Sequence, residues 1–214
     1  FRRGLLRGLP GHEVVEETVD TLAGAPALRL RLRGGEGAAA PAVEVVTVLA
    51  GDRQYALTRT MSAAAEPGAR AALDAAVGDD TASVILEPIP ATLGMAIPAD
   101  DYLPAVQAIC RDRGALLVLD EVQTGLGRTG KMFAHQHAGV TPDILTLAKP
   151  LAGGLPMGAI LLREDLAPAL KVGDHGSTFG GNPVSCAAAL ETIALLQEGL
   201  MRNAAIQGQR LEQG

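Results

Sequence analysis

The chain has 214 residues, 48% of them hydrophobic, 20% charged and 2% aromatic, with no tryptophan. That is enough apolar material for a sizeable core built from Ala, Leu, Val and Ile, and too much for a disordered segment. A net charge of −6 argues against a nucleic-acid partner or a polybasic membrane surface.

Taken in chain order, His12 to Gly24 places apolar and acidic residues at helical spacing and is expected to be a helix stopped by Gly24-Ala25-Pro26. Leu28 to Leu32 alternates with period two and predicts a strand. Ala38 to Ala50 is apolar and is expected to be helical with Pro41 in its first turn, its valines keeping a strand open. Arg53 to Thr58 predicts a short strand, Glu66 to Val77 a helix, and Ser83 to Leu86 a buried strand ending in Glu87-Pro88.

Asp101 to Arg113 predicts a helix closed by Gly114, and Ala115 to Leu119 an apolar strand closed by Asp120. Ile144 to Leu147 and Met157 to Leu162 predict two more strands, Pro183 to Gln197 a long Ala-rich helix, and Arg202 onward a further helix. Short apolar strands alternating with helices imply an α/β fold, a mainly parallel sheet with helices on both faces. Functional groups then gather beyond the carboxyl ends of the strands, where Glu87, Asp120 and Lys149 fall. No run approaches a membrane span of about 20 apolar residues. Cys110 and Cys186, far apart in predicted helices, read as buried thiols of a reducing, cytoplasmic compartment.

The chain has three lysines against fifteen arginines. Lys149, kept between an apolar strand and the glycine-rich Leu151 to Gly154, suggests chemistry that arginine cannot perform, because a lysine can lose its proton and form a Schiff base. Asp120 alone would be a strand-end cap. With a cationic partner in a cleft, its carboxylate would keep a pyridinium nitrogen protonated and strengthen an electron sink. Gly176-Ser177-Thr178, then Gly180-Gly181-Asn182-Pro183, lead into a helix. They are either a turn with an N-cap, or backbone N–H groups and a hydroxyl suited to phosphate. His135 and His137 have a poor spacing for zinc, and no third ligand accompanies them. Glu121 reads as solvated or structural.

LLVLDEVQTGLGRTGKMFAHQHAGVTPDILTLAKPLAGGLPMGA, and then HGSTFGGNPVSCAAAL, resemble the central block of the class III, ω-aminotransferase-type enzymes, pyridoxal-phosphate proteins of fold type I. The close likeness runs from residue 81 to 196; residues 1–80 follow the family in outline. The resemblance implies a partial large domain over 1–214, with the family's N-terminal segment and C-terminal small domain absent. By the same resemblance Lys149 is the Schiff-base lysine and Asp120 binds the pyridine nitrogen. Val122 packs on the ring, Gln123 reaches its phenolic oxygen, and Thr178 binds phosphate across a homodimer interface. Arg33 to Gly37 would occupy a phosphate loop, with Gly34 and Gly35 as cofactor-binding positions and His175 shaping the second phosphate segment.

Departures are specific. No aromatic-His-Gly follows the N-terminal strands, where Met61 is the bulky apolar candidate. The family's EPIQGEGG is here Glu87-Pro88-Ile89-Pro90-Ala91-Thr92-Leu93-Gly94, with Thr92 replacing the second glutamate. The implied activity is amino-group transfer from an amino donor to a keto acid or aldehyde. Decarboxylation as in a related branch, or a degenerate domain kept for dimerisation or scaffolding, are the alternatives.

Overall fold

The computed structural model describes residues 13–22, 25–33, 42–50, 53–60, 73–91, 95–174 and 176–213. They fall into two compact units, Phe1–Val118 and Leu119–Gly214.

In the first unit five strands follow one another in sheet order: β1 (Glu13–Leu22), β2 (Ala25–Arg33), β3 (Ala42–Ala50), β4 (Arg53–Thr60) and β5 (Thr81–Leu86). β1 to β4 pair antiparallel, and β5 joins β4 in parallel. The helix expected over His12 to Gly24 is therefore a strand. Five of the ten residues of β1 (Val14, Val15, Thr18, Val19, Thr21) are β-branched, a composition suited to a pleated sheet. Its register also sets Glu13 opposite Arg33 and Glu16 opposite Arg31. The helix expected over Ala38 to Ala50 is likewise overturned in favour of the strand its valines kept open, since β3 has ladder partners on both sides. The strand expected from Arg53 to Thr58 is β4, two residues longer.

Residues 73–76 are helical; the earlier part of the helix expected from Glu66 lies outside the described residues. Helix α1 (Tyr102–Arg113) buries Leu103, Val106 and Cys110, at i, i+3 and i+7 along one face. It ends as expected at Gly114, whose φ of 67° is the left-handed conformation that closes helices at little cost to glycine. Leu73, Val77, Val84, Leu103, Val106, Cys110 and Leu117 are among the buried apolar residues described in this unit.

The second unit takes over within β6 (Leu116–Asp120) and continues through β7 (Ile144–Leu147) and β8 (Ala159–Leu162), which pair antiparallel. Beyond β8, Arg163 pairs with Asp143 and Asp165. The hydrogen bond to Asp165 holds the guanidinium above and that carboxyl below their ordinary pKa values. Helix α2 (Pro183–Leu195) is capped by Asn182, whose Oδ1 accepts from the N–H groups of Val184 (2.9 Å) and Ser185 (3.2 Å). Pro183 fills the first helical position, where no N–H is needed. Helix α3 (Met201–Gln213) follows after a one-turn kink at Leu196–Leu200. Leu126, Leu151, Ala152 and Ala189 form the unit's buried cluster, with Met132, Met157 and Leu196 packed on it.

Across its kink, Pro183–Gln213 is one helical run of 31 residues, long and apolar enough to cross a membrane by length and composition. This corrects the expectation that no run approaches a span: the kink joins two helices that read separately in the sequence. Neither Cys110 nor Cys186 forms a disulfide; Cys110 is buried and Cys186 half-buried.

Candidate active site

The candidate residues of the second unit sit where two strands end. β6 ends at Asp120 and β7 at Leu147, two residues before Lys149. The N–H of Glu121 donates to the carbonyl of Thr146 (3.0 Å), so the two strand ends lie side by side. Asp120 and Lys149 are thereby brought to the same end of the strands, the position where ligands gather in α/β sheets.

Asp120 is half-buried, and its Oδ1 accepts from the N–H of Val122 at 2.9 Å. This is an Asx turn; it leaves the second carboxylate oxygen for another partner. Three residues after Asp120, Gln123 accepts a hydrogen bond through Oε1 from Nζ of Lys149. Amide and amine are thus held together although 26 residues separate them in sequence.

Lys149 opens a short 3-10 turn, Lys149–Ala152, with a φ of 40°. A left-handed conformation at a residue with a Cβ costs about 1–2 kcal/mol. Such strain persists where the surroundings over-determine it, and it clusters at functional sites. Leu151 and Ala152, at 4% and 2% exposure, anchor the turn in the core while Lys149 itself is exposed.

Thr178 stands apart from this group, in the exposed turn from Ser177 to Gly181 ahead of α2. The N–H groups of Gly180 and Asn182 serve the turn, bonding the carbonyls of Ser177 and Phe179 at 3.3 Å each. The Thr178 hydroxyl makes no hydrogen bond among the described residues. Gly34, Gly35, His175, Met61 and Thr92 lie outside the described residues. Glu87, at the end of β5, accepts from the N–H of Ala91 (3.1 Å) and so caps the following turn.

The residue that the sequence reading undervalued is Glu121. It is 1% exposed and its carboxylate takes four donors. Oε1 accepts from the N–H and ring Nδ1 of His135, at 2.9 and 2.8 Å; Oε2 accepts from the N–H of Ala134 and the hydroxyl of Thr124, at 2.7 and 3.0 Å. Burial alone would raise its pKa, but the hydrogen bonds from His135 and Ala134 hold it below the ordinary carboxylate value. His135 stacks on Phe133, ring centroids 5.5 Å apart. No local signal in the sequence marks Glu121, because its donors at Ala134 and His135 lie 13 and 14 residues away.

The strand ends therefore offer an amine, a carboxylate oxygen and an amide, and the separate Ser177–Gly181 turn offers a hydroxyl. That donor set suits an aromatic aldehyde phosphate with a basic ring nitrogen: amine for the aldehyde, carboxylate for the nitrogen, amide for a phenolic oxygen, hydroxyl for phosphate.

The family model for aminotransferase class-III matches residues 38–214. The chain belongs to this family. As a class III aminotransferase chain it has the α/β fold of the type I pyridoxal-phosphate enzymes, and the family's cofactor is pyridoxal phosphate. It is 57% identical over 144 residues to an acetylornithine aminotransferase of Mycobacterium tuberculosis, covering 67% of this chain and 36% of that protein. Among solved structures it resembles an (S)-enantioselective omega-transaminase of Thermomicrobium roseum, with a TM-score of 0.63 and 41% identity over 68% of this chain and 35% of the other. An ornithine aminotransferase of Toxoplasma gondii, described with PLP at its active site, aligns with a TM-score of 0.60 and 41% identity, over 64% and 32% of the two chains. The chain spans about a third of the length of the curated relatives it matches.

Proposed function

We propose that this chain is the cofactor-binding large-domain part of a pyridoxal-phosphate aminotransferase that moves an amino group from an amino donor to a keto acid or aldehyde. The observation that carries the reading is the hydrogen bond between Lys149 Nζ and Gln123 Oε1, at the strand ends that also hold Asp120. When bound, pyridoxal phosphate supplies an electron sink for the pair left when the substrate's carbon–hydrogen bond breaks.

The chain's own residues do the rest. Lys149 would hold the cofactor through its amine, and that amine would carry the proton that leaves the substrate carbon. Asp120 would place a negative charge at the ring nitrogen and hold a proton there. Gln123 would orient the lysine amine and the ring's phenolic oxygen, Val122 would lie against the ring, and Thr178 would donate its hydroxyl to the phosphate. Gly34 and Gly35 would be further phosphate-binding positions.

The protein works as a two-fold homodimer, with Thr178 serving the neighbouring subunit's cofactor, in a reducing cytoplasmic setting that suits two thiols without a disulfide. The helical run Pro183–Gln213 lies wholly inside the family match and its first half joins the core cluster through Ala189. The run is a packing helix of the enzyme rather than a membrane span.

The test is borohydride reduction of the purified, cofactor-loaded protein followed by peptide mapping. The label is expected on Lys149; a label on Lys131 or Lys171 overturns the assignment. Light scattering at micromolar concentration is expected to show a dimer, and a cofactor-retaining monomer would exclude the shared site.

A further inference from the structure

Glu121 is the joint on which the candidate site is built. Its N–H bonds Thr146 of β7 (3.0 Å), and its carbonyl accepts from Gly125 (2.9 Å). Its carboxylate gathers Thr124, Ala134 and His135. It follows Asp120 directly and precedes Gln123 by two positions, so what fixes Glu121 also fixes the backbone that carries both of those side chains. We propose that Glu121, locked by His135, is a positioning residue that sets the Asp120 carboxylate and the Gln123 amide in the geometry the cofactor requires. This rests on the cofactor reading above and assigns to that site a residue that touches no cofactor itself.

The chemistry explains why the position needs a carboxylate rather than a neutral group of the same shape. All four partners donate, and each carboxylate oxygen takes two of them. A glutamine has one acceptor oxygen and an NH2 group. Placed at Oε2, the NH2 would face the N–H of Ala134; placed at Oε1, it would face the N–H of His135. The Thr124 hydroxyl can turn and the His135 ring can change tautomer, but a backbone N–H can do neither. Either orientation therefore leaves one buried backbone donor without an acceptor, and the cheapest relief is a shift of the turn that carries Asp120 and Gln123.

His135 is the matching half. Its backbone and its ring both reach Oε1, and its stacking on Phe133 holds the ring in place. Displacements of a few tenths of an ångström in such a supporting contact are enough to mis-aim a binding group.

The experiment compares Glu121→Gln with Leu73→Ala, a cavity in the buried core of the other unit that lowers stability without touching this network. Both are read for melting temperature, for pyridoxal-phosphate dissociation constant, and for the visible circular dichroism of the bound cofactor, which reports how the ring is held. Both variants are expected to lose stability, but only Glu121→Gln to weaken cofactor binding by about tenfold and alter the dichroism. If Glu121→Gln does not fold, Thr124→Val removes one of the four bonds and keeps both backbone anchors; it is expected to move the same two readouts in the same direction by a smaller amount. Glu121→Gln, or Thr124→Val in its place, with wild-type affinity and dichroism would reduce Glu121 to a structural residue and overturn the proposal. A wild-type protein without a visible cofactor band would instead sink the cofactor reading itself, and this proposal with it.

Discussion

The ammonium of Lys149 donates to the side-chain oxygen of Gln123, and Lys149 holds a left-handed backbone to do so. The two facts belong together, because the strained φ of 40° is what aims an exposed side chain back across the strand ends. Removing the side chain should therefore separate chemistry from strain. Lys149→Ala and Lys149→Gly should both abolish covalent cofactor binding. Lys149→Gly should nonetheless be the more stable of the two by about 1 kcal/mol, since glycine adopts this conformation without a Cβ penalty. Urea unfolding of the two variants measures the difference; an alanine variant more stable than the glycine one would show that the strain is not there to be relieved.

Asp120 can be tested without disturbing its turn. In Asp120→Asn the amide oxygen still accepts from Val122, as Oδ1 does now, so the Asx turn survives while the charge goes. The expected result is a fall in transamination rate of about a thousandfold, about 4 kcal/mol of transition-state stabilisation, with a small change in stability. A near-native rate would leave Asp120 as a strand-end cap and nothing more.

The site and the fold were legible in the sequence to different depths, for physical reasons. β7 falls where its three apolar residues place it, and α1 stops at the glycine that its geometry requires. β1 was misread because of a register irregularity between Val14 and Glu16. A bulge inserts a residue and breaks period-two alternation, which left Val14-Val15 and Glu16-Glu17 looking like the doublets of a helix. Asp120, Gln123, Lys149 and Thr178 stood out by family resemblance. Glu121 did not, because its burial is decided by donors 13 and 14 residues away, at Ala134 and His135. No local pattern announces a carboxylate that long-range donors have paired.

That pairing has a pH signature. The hydrogen bonds from His135 and Ala134 hold the Glu121 carboxyl below its ordinary value despite burial. A depressed carboxyl stabilises the fold above its unfolded pKa, about 4.3, and that contribution is lost as pH falls through the lower folded value. The stability gap between the wild type and Glu121→Gln should be full at neutral pH, about 3 kcal/mol for a broken buried network, and should begin to narrow as pH falls below about 4.3. Melting curves from pH 7 to pH 3 measure it; a gap that stays constant across that range would mean the charge contributes nothing.

Gly125 tests the same joint from its other side. Its N–H bonds the carbonyl of Glu121, and a Cβ placed there would meet that carbonyl at 2.8 Å, with Glu121 Cβ and Leu147 Cδ2 both at 3.2 Å. A carbonyl in a hydrogen-bonded turn cannot retreat as a flexible side-chain tip can. Gly125→Ala must therefore push Glu121 away from Thr146 or open the turn itself. Overpacking of this kind costs about 1–3 kcal/mol. Because the displaced residue is the one beside Asp120, the variant should also lose cofactor affinity. Gly114 at the end of α1, where an added Cβ meets nothing within 4 Å although its φ is 67°, provides the control. Gly114→Ala carries a left-handed penalty of similar size outside the hydrogen bonds of this joint, so it should lower the melting temperature and leave the affinity alone. Equal cofactor affinity in the two alanine variants would break the link drawn here between the Glu121 turn and the site.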